Sequence, residues 1–248
     1  MLEVNEMAYL DINHVVRRFG GLVAVNDITV GIEQGEILGL IGPNGSGKTT
    51  LFNCINNYYT ANSGEIVFKG IPITHKPTHE ICHLGIGRTF QVVKPLRRMT
   101  VLENVMAGAF LRTSNTTEAR DKALGVLDFC ELLHRKDMLA KDLPIADKKR
   151  MEIARSLAGE PELMLLDETA AGLNPREIER AMELVKKIRD RGITCFVVEH
   201  VMKFIMGISD RMICINFGSE IARGTPEEIA SHPEVIKAYL GEEYAKGR

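Results

Sequence analysis

The stretch ILGLIGPNGSGKTTLFNCI, residues 37–55, decides how this chain is read. Its first five residues form a strand-length apolar run, and KTTLFNCINNY beginning at Lys48 reads as a helix. Between them Gly42-Pro43-Asn44-Gly45-Ser46-Gly47-Lys48-Thr49 fits G-x-x-x-x-G-K-[ST] at every position. The glycines let successive backbone N–H groups curl around a polyphosphate, and the start of the helix adds positive potential. Lys48 is expected to reach the outer phosphates and the Thr49 hydroxyl to ligate Mg²⁺, with Thr50 completing the cradle. A glycine turn occurring here by chance has no reason to sit between strand and helix with this spacing. The motif therefore predicts a nucleotide site in an α/β fold.

A second signal is ELMLLDE, residues 162–168, an apolar strand that ends in two acids. Asp167, at the carboxyl end of a core strand, is placed to hold Mg²⁺ beside Thr49, and Glu168 to orient or polarise water. Taken alone, two acids at a strand end are a common solvated pair. Coupled to the phosphate loop they become the hydrolytic edge of a nucleotide site.

Working outward, short β-like segments with turn signals fill Tyr9 to Ile41, and SGEIVFKGIPI reads as a strand pair around Gly70. From Thr100 to Ala158 the pattern is helical, opening on a capping box, Thr100-Val-Leu-Glu103. Strand Leu163–Leu166, a helix and strand Ile193–Glu199 follow, then a hairpin around MICINFGSEIA. The helix between the strands starts at Asn174-Pro175-Arg-Glu177, buries Ile178, Ala181, Val185 and Ile188, and stops at Gly192. Two late helices start at Thr225-Pro226 and near Ser231-His-Pro233. The expected fold is a P-loop α/β domain with a mostly parallel core sheet, an N-terminal antiparallel β subdomain and an inserted helical lobe. Its expected boundaries are 1–90 for the β subdomain and phosphate-loop core, 91–158 for the lobe, 159–224 for the second core segment, and 225–248 for the terminal helices.

Bulk properties narrow the function. With 31 basic and 33 acidic residues the net charge is −2, so nucleic acid is not the expected partner. Five scattered cysteines without a CxxC pair argue for a reducing compartment and against a disulfide framework. The N-terminus lacks a signal-peptide core, and no apolar run approaches the ~20 residues of a membrane span. A cytoplasmic protein is expected, reaching a membrane only through a partner. His75, His79 and His83 mimic a metal stripe, but Pro77 breaks the spacing and a solvated connecting helix is the expectation.

With these residues in view, the chain resembles the ATP-binding-cassette ATPases over nearly its whole length. The resemblance implies ATP and Mg²⁺ as ligands. It makes Phe19 the aromatic that stacks on adenine and Gln91 the glutamine that joins core to lobe and touches Mg²⁺ or water. His200 becomes the histidine that senses the γ-phosphate. Ala171-Gly-Leu-Asn174 matches a dimer-contact loop, with Asn174 in place of the usual aspartate. HEICHLGIGRTFQ, TVLENVMAG, AAGLNP and GTPEEIASHPEVIKAYLG are similar to the branched-chain amino acid importers. The implied assembly is two cassettes, identical or closely related, docked on separate transmembrane permease subunits at the inner face of the membrane. A solute-binding protein would act indirectly, and Arg97 and Arg98 are candidate permease contacts. Urea or amide uptake and lipopolysaccharide export are the neighbouring alternatives. A soluble DNA-repair or regulatory cassette lacks its expected coiled-coil insertion or basic face.

One segment departs from the family. Leu143-Pro144-Ile145-Ala146-Asp147 stands where Leu-Ser-Gly-Gly-Gln closes over the ATP held by an opposed subunit. Pro144 has no hydroxyl, Ile145 and Ala146 add side chains, and Asp147 brings a negative charge toward a polyphosphate. These changes suggest a silent or weak cassette. Against that, Ala146 and Asp147 keep backbone N–H groups at a helix start, and Lys148, Lys149 and Arg150 are placed to offset the Asp147 charge. Glu168 and His200 are both present. The expectation is a signature degenerate in letters but working in geometry, and hence active ATP hydrolysis.

Overall fold

The structure, a computed structural model, describes residues 8–240. The chain opens with β1 (Leu10–Phe19), β2 (Leu22–Ile32) and β3 (Ile37–Ile41), followed by α1 (Lys48–Ile55), β4 (Ser63–Phe68), β5 (Ile71–Pro72) and α2 (Thr78–Leu84). Next come β6 (Ile86–Arg88), α3 (Val101–Ala109), α4 (Thr116–Phe129) and, after two 3₁₀ turns, α5 (Ile145–Leu157). Then follow β7 (Leu163–Asp167), α6 (Pro175–Asp190), β8 (Thr194–Val198) and α7 (Met202–Ile208). The last elements are β9 (Arg211–Asn216), β10 (Ser219–Gly224), α8 (Pro226–Ser231) and α9 (Pro233–Leu240). Of the expected terminal segment 225–248, the last eight residues lie outside those described.

The chain forms two compact units, one from residues 1–81 with 209–248, the other Cys82–Ile208. In the first, an antiparallel sheet runs β2-β1-β4-β5. Leu10, Ile12 and Val15 of β1 are fully buried. The alternation slips by one between Ile12 and Val15, where the register shifts at left-handed His14 (φ 51°). In the same unit β3 lies parallel to β9, Leu38 opposite Arg211 through Ile41 opposite Cys214, and β9 turns back antiparallel into β10. Every residue of β3 is buried, the signature of a strand covered on both faces.

In the second unit β6, β7 and β8 are parallel, with β7 in the middle, and both β7 and β8 are wholly buried. Local sequence sets the helix starts. Thr100 and Glu103 form the capping box of α3, and Asn174 and Glu177 that of α6, with Pro175 in its first turn. The buried stripe of α6 is carried by Leu184, Val185 and Ile188, while Ile178 and Ala181 are only half-buried. His75 precedes α2, so the three spaced histidines do not share one helix.

All five cysteines are free thiols, and all but Cys82 are buried. Burial pushes the thiols of Cys54 and Cys214 up to about 11 and that of Cys130 to about 12, so these act as small apolar side chains.

Candidate functional site

In the first unit the phosphate loop joins β3 to α1. Gly42 and Gly47 have φ of 155° and 106°. A Cβ on Gly42 would meet the Ile215 carbonyl oxygen at 2.1 Å, and one on Gly47 the Ala24 carbonyl oxygen at 2.1 Å. Only glycine permits both the backbone conformation and the close approach of neighbouring chain. Gly47 is the N-cap of α1 and brings no side chain to it, so no side-chain cap occupies the first-turn N–H groups of the helix. Lys48 is buried and curls back, its ammonium donating to the carbonyls of Gly42 at 2.7 Å and Pro43 at 2.9 Å. This holds a cation inside the loop, where the resemblance requires it to meet phosphate. Ser46 is buried, Thr49 and Thr50 are half-buried, and Asn44 and Gly45 are exposed.

One partner of this loop was not legible in the sequence. The Gly42 N–H donates to the Tyr239 hydroxyl at 2.8 Å, tying the loop to α9. Burial pushes the Tyr239 phenol up to about 12. Phe19, at the end of β1, is edge-on to Tyr59 with centroids 5.0 Å apart, and the Arg17 guanidinium lies 4.5 Å from its ring centre.

The second unit gathers Gln91, Asp167, Glu168 and His200. Asp167 ends β7, and Glu168 follows it in the left-handed region, φ 49°. The turn is pinned from several sides: the Glu168 N–H donates to the Val198 carbonyl at 2.9 Å, and Lys149 Nζ donates to the Glu168 carbonyl at 2.6 Å. Its carboxylate accepts Gln91 Nε2 at 2.8 Å and lies 3.8 Å from His200 Nδ1, with 15% of the side chain exposed. With Nε2 committed to Glu168, the Gln91 carbonyl oxygen is the acceptor that this side chain has left to offer. Asp167 carries hard carboxylate oxygens at the strand end, and Arg88 Nη2 pairs with Oδ2 at 3.2 Å. Burial pulls the Arg88 guanidinium below its ordinary value, and Asp167 offsets part of that. Asp167 and the Gln91 amide oxygen are oxygen donors of the kind that Mg²⁺ selects, and so, in the first unit, is the Thr49 hydroxyl; each residue by its chemistry fits that ion.

Beside this set, Glu199 is fully buried at the end of β8, accepting the Ala170 and His200 N–H groups; burial raises its carboxyl. Arg88, Lys149 and Glu199 carried no motif signal, because isolated charged residues in a sequence do not announce their burial.

The signature segment is an ordinary helix start. Pro144 is the N-cap of α5 with φ −56° and ψ 159°, and Ile145, Ala146 and Asp147 form its first turn. Leu143 is buried beneath it and Ile145 is half-exposed, at 50%. The Asp147 carboxylate lies 3.6 Å from Arg135 Nε and 3.9 Å from Arg150 Nη2. The expectation that Lys149 offsets this charge is corrected here. At two residues' separation Lys149 cannot share the helix face of Asp147 and turns inward to Glu168, whereas Arg150, at i+3, can. Arg135, outside the helix, supplies the second cation. Asn174 is occupied as the cap of α6, its side chain accepting the Arg176 and Glu177 N–H groups at 3.1 Å.

Comparisons with known proteins place the chain in a family. The family model described as ABC transporter matches residues 25–171, and one described as branched-chain amino acid ATP-binding cassette transporter matches residues 220–245. The chain is 41% identical over 249 residues to the high-affinity branched-chain amino acid transport ATP-binding protein LivG of Escherichia coli, covering 94% of this chain and 98% of that one. It is 32% identical to the lipopolysaccharide export system ATP-binding protein LptB of Haemophilus influenzae, covering 96% and 99%. Among solved structures, the ADP conformation of an ATP-binding cassette of an ABC transporter superposes with TM-score 0.87 at 31% identity, covering 95% of this chain and all of that one. A dimeric post-hydrolysis cassette bound to ADP and Pi superposes with TM-score 0.79 at 26% identity, covering 88% and 98%. The chain belongs to the ABC transporter family, as one of its ATP-hydrolysing cassettes.

Proposed function

We propose that this cassette powers import of branched-chain or other hydrophobic amino acids, working as a dimer, with itself or a close relative, on separate permease subunits. The hydrolytic reading rests on one observation above all. The Glu168 carboxylate is held by Gln91 next to His200, on a turn pinned through its own backbone. The solute assignment is supported by similarity to LivG along almost the full length of both chains.

In this reading the loop 42–49 receives the phosphates of ATP, with the Lys48 ammonium moving from its carbonyl partners to phosphate oxygens. Thr49, Gln91 and Asp167 would hold Mg²⁺, which supplies charge neutralisation on the phosphates. Glu168 accepts a hydrogen bond from the attacking water and aligns it, Gln91 keeps that carboxylate in place, and His200 senses the γ-phosphate. Phe19 packs against adenine. The first turn of α5 offers the Ala146 and Asp147 N–H groups to the nucleotide of an opposed cassette. ATP then favours the closed pair and its hydrolysis the open one, and that differential affinity drives the permease. The face after Gln91, with Val92 and Leu96 exposed and Arg97 and Arg98 nearby, is the permease-facing segment.

The test is uptake of labelled leucine in cells lacking this protein. Restoration by the native chain but not by Glu168→Gln is expected. Uptake unchanged by the deletion would overturn the amino acid assignment and turn attention to urea, short amides or lipopolysaccharide.

A further inference from the structure

Helix α5 carries a buried lysine that the nucleotide chemistry above leaves without a task. Lys149 is only 8% exposed, and burial pulls its ammonium below the ordinary value, opposed by the carboxylates of Glu199, Glu152 and Glu168. Burying an ammonium is costly unless its hydrogen bonds are well placed. Its Nζ donates at 2.6 Å to the carbonyl of Glu168. Glu168 is a non-glycine residue at φ 49°, a conformation that persists only where the surroundings impose it.

We propose that Lys149 is a positioning residue for ATP hydrolysis, fixing the strained turn that keeps the Glu168 carboxylate on Gln91 and beside His200. The proposal rests on the reading of Glu168 as the residue that aligns water. The rest of the inner face of α5 acts in the same sense. Glu152, one turn on and 3% exposed, is paired with Arg155 at 3.4 Å, and the backbone N–H groups of Phe90 and Lys94, on either side of Gln91, favour its ionised form. Arg155 Nη1 donates to the Lys94 carbonyl at 3.2 Å. One rigid helix thus grips both the backbone of the acid and the segment bearing its glutamine partner, while its first turn carries Ile145, Ala146 and Asp147. A shift of that first turn is transmitted to the acid of the same chain. Misplacement of a catalytic group by ~1 Å costs on the order of 100-fold in rate, so small shifts suffice.

The experiment measures steady-state ATP turnover and ATP affinity of the full chain, native and as Lys149→Met, Lys149→Arg, Glu168→Gln and the Lys149→Met/Glu168→Gln pair. Lys149→Met is expected to lower kcat about 10- to 100-fold with KM within about threefold of native. Lys149→Arg, which keeps a cationic donor, is expected to recover most of that loss. In the Glu168→Gln background the Met substitution should lower the residual rate less than about twofold, because the two residues act as a unit. A native kcat in Lys149→Met, or an equal loss in both backgrounds, overturns the proposal. Should Lys149→Met not fold, Lys149→Gln decides, since it removes the buried charge: reduced kcat with ATP affinity kept supports the proposal, unchanged kcat overturns it. Turnover surviving in Glu168→Gln strikes instead at the reading of Glu168.

Discussion

Two helix starts in this chain are assigned to phosphate, and they treat their letters in opposite ways. The loop 42–49 keeps every residue of its motif, whereas the signature 143–147 keeps only its leucine. The backbone explains the difference. At Gly42 and Gly47 the chain adopts positive φ and runs against the carbonyls of Ile215 and Ala24, so a Cβ has no space. At 144–147 the chain enters a regular helix from an extended N-cap, a conformation open to any residue, and Pro144 loses nothing because the N-cap N–H lies outside the helix ladder. Recognition through a strained loop fixes the sequence. Recognition through helix N–H groups leaves the side chains free to drift, provided no uncompensated charge is added.

The sharpest way to break this contrast is Gly47→Ala. The methyl cannot be accommodated beside Ala24, and the loop relieves it only by leaving the phosphate-binding conformation. Strain of about 2–3 kcal/mol translates to roughly a 30- to 150-fold weaker ATP Kd. Isothermal titration with ATP reads this directly, and native affinity in the variant would mean the glycine geometry is not what binds phosphate.

The next test addresses the other helix. Replacing the backbone amide of Ala146 by an ester removes its N–H and weakens the Ile145 carbonyl as an acceptor, with every side chain kept. A hydrogen bond to a charged group contributes about 1.5–3 kcal/mol, so turnover is expected to fall roughly 10- to 100-fold, with ATP binding to the chain's own loop unchanged. Pro144→Ser, which restores a hydroxyl, should change the rate by less than about threefold. A large gain from the serine combined with a silent ester would reverse the argument and make the side chain the recognition element.

What the sequence reveals follows the same division. The phosphate loop, the capping boxes at Thr100 and Asn174 and the apolar strand ending at Asp167 are all local patterns, where neighbouring residues fix one another's conformation. Interactions that join distant segments left no such trace. Arg88 and Asp167 are 79 residues apart, Gly42 and Tyr239 are 197 apart, and Lys149 meets Glu168 across 19. The inward turn of Lys149 is readable afterwards from helical spacing, since it sits two residues from Asp147, but its partner is set by packing. Arg135 as a counter-ion for Asp147 was equally hidden, lying outside the helix it serves.

The inner face of α5 offers a pH test of how tightly the signature helix is built in. Burial pushes the Glu152 carboxyl from the ordinary 4.5 up to about 7. Between those values the folded chain holds a proton that the unfolded chain has released. The stabilisation is therefore complete below about 4.5 and is lost as pH rises through 7. Glu152→Gln has no proton to lose and keeps a polar side chain of the same size. Its Tm relative to native is expected to rise between pH 5 and pH 8, by about 2–4 °C for each kcal/mol recovered. Parallel melting curves across that range would show that Glu152 is not held protonated in the fold.

The smallest effect is expected where the letters look worst, at Asp147. A carboxylate aimed at a polyphosphate ought to repel it, and on that view Asp147→Asn speeds the cassette considerably. The charge is not bare, however: Arg135 and Arg150 flank it at 3.6 and 3.9 Å, and only 14% of the side chain is exposed. Removing it strips a partner from two arginines as well as a charge from the helix start, and the two changes act on different properties. Losing the partner of partly exposed ion pairs typically costs 1 kcal/mol or less, which appears in stability. The gain in potential is limited because the local charge was already compensated. Turnover and ATP KM of Asp147→Asn are therefore expected within about threefold of native. Arg135→Ala should slow turnover more than Asp147→Asn alters it, because it exposes the carboxylate without removing it. If Asp147→Asn instead accelerates hydrolysis tenfold or more, compensation by the two arginines fails as an explanation, and the signature of this cassette is a brake set by its own charge.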